Sequence, residues 1–68
     1  MNNHFKELDN KTLKKCFEIF KKEKHGLGIS SEPLRSILDM YTNDSPNGIL
    51  MMNLDLFREI AERTYTML

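Results

Sequence analysis

Leu13-Lys-Lys-Cys-Phe-Glu-Ile-Phe20 and Leu34-Arg-Ser-Ile-Leu-Asp-Met-Tyr41, joined through Gly26-Leu-Gly-Ile-Ser30, decide how this chain is read. In the first stretch Leu13, Cys16, Phe17 and Phe20 fall at i, i+3, i+4 and i+7. In the second, Leu34, Ile37, Leu38 and Tyr41 repeat that spacing, so each stretch carries one apolar face at helical period. The spacing predicts an amphipathic helix over residues 11–23, a glycine-containing loop, and a second helix ending near Tyr41 or Thr42. Asp9 or Asn10 can cap the first helix by accepting its orphan N–H groups. Lys21, Lys22 and Lys24 suit the negative end of its dipole, and Gly26 and Gly28 break it. Ser30 or Ser31 can cap the second helix, with Glu32 and Pro33 in its first turn.

Outward from this pair, residues 1–9 are polar apart from Phe5 and Leu8 and are expected to form a flexible start. Beyond Thr42, Asn43-Asp-Ser-Pro-Asn-Gly48 is a dense turn cluster. Ile49-Leu-Met-Met52 is a short apolar run, read as a strand because it is too brief for a helix. Asn53 or Asp55 then opens a last helix with Leu56, Phe57, Ile60, Ala61, Thr64 and Met67 on its apolar stripe. The chain stops within that helix without a capping glycine, the pattern of a fragment of a longer chain.

With 68 residues the chain makes one domain. A chain of this size buries only about 60% of the surface exposed when unfolded, so a partner is the expected source of extra stability. A single cysteine leaves no internal disulfide and fits a cytoplasmic setting. No apolar run approaches the ~20 residues of a membrane span. Ten basic residues balance ten acidic ones, which argues against a dedicated nucleic-acid binder. The balance is uneven: residues 1–25 hold seven lysines against four carboxylates, and the remainder is acidic. Those lysines read as the solvated face of the first helix. Cys16 has no paired base, and no Ser/His/Asp set or phosphate-cradling glycine loop appears, so no catalysis is expected.

The aromatic spacing of Phe17 and Phe20, the glycine loop, and Gly28-Ile29-Ser30-Ser31-Glu32 together resemble the entering helix, loop and exiting helix of the calmodulin superfamily of EF-hand proteins. The resemblance covers residues 11–41 well and 45–66 poorly. It implies a mainly α, EF-hand-like lobe over 1–68, with a first hand at 10–42 and a contracted second hand at 43–68. A short antiparallel β-bridge between the Ile29 and Leu50 regions is expected to join the two. The calcium chemistry departs from the family. Calcium takes six or more oxygens, mostly from loop positions 1, 3, 5 and a bidentate Glu at 12. With Gly26 at position 6 those places hold Lys21, Glu23, His25 and Glu32; shifting by one residue puts Lys22 first and Pro33 last. The second turn, Asn43-x-Ser45-x-Asn47-Gly48, has Leu54 at its twelfth place. No metal and no cofactor is therefore expected, and Glu23 and Glu32 read as a surface charge and a helix-start charge.

A lobe with one recognisable hand, one contracted hand and no calcium is most similar to the N-terminal half of a myosin essential light chain of the gliding-motor type. That likeness implies a calcium-independent lobe that clasps an amphipathic IQ-type helix of a myosin heavy-chain neck and stiffens the lever. It also implies a C-terminal lobe elsewhere in the chain, and a cytoplasmic place at a membrane-anchored motor complex. Helix-in-groove binding asks for an adaptable apolar trough and, for a basic target, an acidic rim. Leu38, Tyr41, Met51, Met52, Phe57, Ile60 and Met67 are the candidates for the trough. Asp55 and Glu59, with Asp39 and Glu62, are those for the rim. Phe17, Phe20, Leu34 and Ile37 are expected to fill the core. The alternative is a small helix-turn-helix or winged-helix domain whose first-helix lysines touch phosphates.

Overall fold

Three helices, α1 (Asn10–Lys22), α2 (Leu34–Asp44) and α3 (Gly48–Thr66), form the fold of the computed structural model, which describes residues 3–23 and 28–68. The chain is mainly α, as its periodicity indicates. The expected roles of Gly26 as helix breaker and of His25 and Lys24 in the loop lie outside the described residues.

Asp9 caps α1: its Oδ1 accepts the Thr12 N–H at 2.7 Å. The helix ends as the Glu23 N–H donates to the Ile19 carbonyl at 2.8 Å, with Lys21 and Lys22 in the last turn. It buries Leu13, Cys16 and Ile19. Phe17 and Phe20, expected in the core, are only half-buried, because Ile19 takes the inward position and turns both rings to the edge of the helix.

The segment returning to α2 is held by its two carboxylates. Glu23 Oε1 accepts the Ser30 N–H at 2.7 Å, and Ser31 Oγ donates to Oε2. Glu32 Oε1 accepts both the N–H and the hydroxyl of Ser36, at 3.1 and 2.7 Å. Pro33, at the N-cap of α2, offers no side-chain acceptor, so Glu32 satisfies the first turn in its place. The Ser31 hydroxyl first, and the Ser30 N–H after it, hold the Glu23 carboxyl below its ordinary 4.5. The Thr12 hydrogen bonds do the same for Asp9 relative to 3.8. A carboxylate depressed in the folded state stabilises the fold above its ordinary value and loses that contribution as pH falls through the folded value. Stability is therefore expected to be level near neutrality and to fall between about pH 5 and pH 3. In thermal melts across that range, Glu23→Gln should start lower and show a shallower acid limb. An unchanged acid limb would remove Glu23 from the explanation.

α2 and α3 pack most extensively against each other. Only Ser45, Pro46 and Asn47 separate them. Ser45 Oγ accepts the Asn47 N–H, the Gly48 N–H donates to the Ser45 carbonyl, and the Met51 N–H reaches the Asn47 carbonyl at 2.9 Å. The turn thus delivers the chain straight into helix at Gly48. This corrects two expectations. Ile49-Leu-Met-Met52 is helical rather than a strand, because leucine and methionine are good helix formers and Met52 fits the buried face with Leu56. The β-bridge between Ile29 and Leu50 is absent, and no strand occurs among the described residues. Ile29 is buried, whereas Leu50 stands on the outward face of α3, 58% exposed.

Residues 3–8, expected to be loosely attached, are docked instead. Phe5 is wholly buried and stacks on Tyr41 at 6.0 Å, a burial worth about 1.5–3 kcal/mol. The Asn3 amide donates to the Asp55 carbonyl at 3.2 Å, and the His4 N–H donates to Tyr41 Oη at 3.1 Å. Arg63 secures the rest: Nη2 donates to the carbonyls of Phe5, Lys6 and Leu8, and Nη1 to Asn10 Oδ1 at 2.9 Å. The core so closed runs from Phe5 through Leu13, Cys16, Leu34 and Tyr41 to Met52 and Leu56. No described helix is long and apolar enough to cross a membrane.

Candidate helix-binding seam between α1 and α3

α3 is apolar on two opposite faces. The inward face carries Met52, Leu56 and, within the same stripe, Asp55 and Glu59. The outward face carries Leu50, Leu54, Phe57 and Ala61 at i, i+4, i+7 and i+11. Leu50 is 58% exposed, Leu54 50% and Phe57 45%, so the fold leaves this stripe without a covering element. Scattered exposed leucines are ordinary; a contiguous row along one helix is a candidate interaction surface.

The stripe continues onto α1 through an aromatic cluster. Phe57 meets Phe17 edge-on at 5.9 Å and Phe20 at 5.3 Å, while Phe17 and Phe20 stack at 6.5 Å. From Phe17 a mostly apolar groove of about 310 Å³ runs on between the helices, lined by Leu13, Lys14, Ile60, Thr64 and Met67. The Lys21 ammonium lies 5.2 Å from the centre of the Phe17 ring and pairs with Glu18 at 3.3 Å. Ridge, cluster and groove form one seam along the α1–α3 edge.

Of the expected trough residues, Phe57, Ile60 and Met67 meet at this seam, with Phe57 and Met67 exposed and Ile60 half-buried. Leu38, Tyr41 and Met52 are core residues, closed off between α2 and α3. Met51 is half-buried against the core. The rim candidates Asp55 and Glu59 are inside as well, each 6% exposed. Asp55 Oδ2 accepts the Tyr41 hydroxyl at 2.6 Å. Burial first, and that hydrogen bond second, push the Tyr41 phenol far above its ordinary value. Glu59 Oε2 accepts from Arg63 Nε at 2.8 Å, and its Oε1 has no hydrogen-bond partner. Neither carboxylate lies on the α1–α3 seam. Asp39 is exposed but paired with Arg35 at 3.0 Å.

Leu50 and Leu54 are surface residues of this stripe that the sequence reading did not single out. The signal was present as a second apolar row at helical spacing, hidden because two rows on one helix blur its period.

A larger groove of about 700 Å³ lies between the docked N-terminal segment and the α2–α3 pair. It is lined by His4, Lys6, Met40, Asp55, Arg58 and Glu62, a polar wall of both charge signs. Among the described residues no three His, Cys, Asp or Glu side chains are grouped to hold a metal ion. Cys16 is buried, and that burial raises its thiol above the ordinary range, which disfavours the thiolate. No family model, curated protein or solved structure matches this chain.

Proposed function

We propose that this chain is a protein-interaction module that receives an amphipathic helix of a partner along the α1–α3 seam, without a metal ion. The observation that carries the reading is the exposed row Leu50, Leu54 and Phe57, continuous with the groove beside Phe17. A helix of 19 residues such as α3 is about 28 Å long at 1.5 Å per residue, enough to lie along four to five turns of a partner helix. Adaptable side chains at the groove, Met67 above all, suit a binder that packs against leucines and isoleucines of a partner. The loop carboxylates support a calcium-independent reading: Glu23 and Glu32 accept hydrogen bonds from Ser30, Ser31 and Ser36.

The narrower form of this reading is a lobe of myosin light-chain type holding an IQ-type neck helix. It rests on the spacing of Phe17 and Phe20 and on the oxygen-poor loop. The helix-turn-helix alternative draws no comparable support. Its reading helix would be α2, whose one basic side chain, Arg35, is held by the Ile29 carbonyl and Asp39.

Calorimetric titration with an amphipathic helical peptide tests the proposal. Saturable micromolar binding is expected, equal within about twofold in calcium and in chelator. Leu54→Asp should abolish it while leaving helicity unchanged, because Leu54 is half in solvent already. Binding only with calcium, or binding undiminished in Leu54→Asp, would refute the proposal.

A further inference from the structure

The two walls of the seam differ in charge. The outward arc of α3, from Ile49 and Leu50 through Leu54 and Phe57 to Ala61 and Thr64, contains no ionisable side chain. The acidic residues of that helix turn elsewhere: Asp55 and Glu59 into the fold, Glu62 into the polar groove beside Lys6. Arg63, at the end of the seam, is saturated by Glu59, Asn10 and three carbonyls.

On the α1 wall the charge is basic. Lys14 and Lys21 lie three residues before and four residues after Phe17, which places both beside that ring on one helix face. Lys14 lines the groove and has no ion pair among the described residues. The one acidic side chain on this wall, Glu18, is already paired with Lys21. A partner helix seated between the walls would therefore meet apolar surface on one side and, on the other, the unpaired Lys14 beside the Lys21–Glu18 pair, a net positive wall.

We infer that the helix accepted by the seam is acidic along one edge: an apolar stripe for Leu54, Phe57 and Ile60, flanked by glutamate or aspartate facing Lys14 and Lys21. The inference rests on the seam being the docking surface. It departs from the basic IQ-type helix in the sign of the flanking charge, since Asp55 and Glu59 are buried and the exposed carboxylate of the seam, Glu18, is paired with Lys21. One exposed ion pair gained at Lys14, against one like-charge contact, favours the acidic helix by about threefold to tenfold at low salt, with Lys21 shared between Glu18 and the target. Exposed charges at this range are screened, so the preference should shrink as salt rises.

The test uses the full chain and two designed helical peptides that share one leucine stripe, one with glutamate and one with lysine along the flank. The glutamate peptide should bind about threefold tighter or better at low ionic strength, and the margin should close at high salt. The double variant Lys14→Glu/Lys21→Glu, checked for unchanged helicity, should invert the order. Equal affinities, or a tighter lysine peptide, would overturn the acidic-edge inference while leaving the docking surface intact. Binding of neither peptide would remove the docking surface itself, as would capture by phosphatidylserine vesicles in place of both peptides. A dimer in sedimentation that Leu54→Asp dissociates would assign the seam to a second copy and overturn the inference.

Discussion

Gly48→Ala is expected to lower the free energy of unfolding by about 2–3 kcal/mol, although alanine is the better helix former. A Cβ at this position would stand 2.5 Å from the Tyr41 carbonyl oxygen and 2.6 Å from the backbone of Thr42. The obstacles are main-chain atoms of α2, which cannot rotate aside. The connection of Ser45, Pro46 and Asn47 is also too short to let α3 back away. Helix propensity would return about 1 kcal/mol, less than the overlap costs. A domain of this length holds only about 3–5 kcal/mol in total, so much of the population should unfold. Urea denaturation followed by circular dichroism measures the change. Gly28→Ala is the control, since its Cβ would meet the Glu23 carbonyl at an ordinary 3.7 Å. It should stay within about 0.5 kcal/mol of the parent chain. Equal stability of the two variants would mean that α2 and α3 do not approach as closely as described.

Arg63→Met should be comparably severe, for a different reason. The guanidinium is the partner of buried Glu59 and the donor to Asn10 and to three carbonyls of the N-terminal turn. Its removal leaves the Glu59 carboxylate, one oxygen of which has no partner even now, uncompensated inside the fold. Breaking a buried pair in this way costs about 3–5 kcal/mol. Removing both charges costs less, because no lone ion is left inside. Arg63→Met/Glu59→Leu should therefore be more stable than Arg63→Met by about 1–3 kcal/mol, a coupling that a double-mutant cycle reads directly. Amide exchange near Phe5 should accelerate in both variants, since both release the turn. Additive effects would show that Glu59 and Arg63 do not act as a pair.

These two positions show where the sequence was legible and where it was not. Apolar residues at helical spacing located α1 and α2, and Asp9 was recognisable as a cap because capping chemistry is local. Gly48 was read as the end of a turn cluster. Its requirement for the bare backbone of α2 opposite is a contact between elements, which no local pattern carries. The start of α3 was misplaced because Leu50 and Leu54 fill the solvent face while Met52 and Leu56 fill the core. With both faces apolar, four residues in a row imitate a buried strand. Phe5 was passed over as an isolated aromatic in a polar stretch; its burial depends on Arg63, 58 residues away. Glu59 and Arg63 are visible as an i, i+4 pair, but burial, which gives that pair its energetic weight, is a property of the packed fold. Phe57, Ile60 and Met67, read from their stripe, come together at the seam. Leu38, Tyr41 and Met52 share the same composition and went to the core, because groove and core draw on the same residue types.

The most direct measurement is a map of backbone amide chemical shifts during titration with the acidic-edged helical peptide. The expected result is a continuous set of perturbed amides along Leu13–Phe20 of α1 and Leu50–Thr64 of α3, with α2 unchanged. Shifts centred on α2 and the groove around His4 and Arg58, or no shifts with either this peptide or its lysine-edged counterpart, would contradict the assignment of the α1–α3 seam as the binding surface.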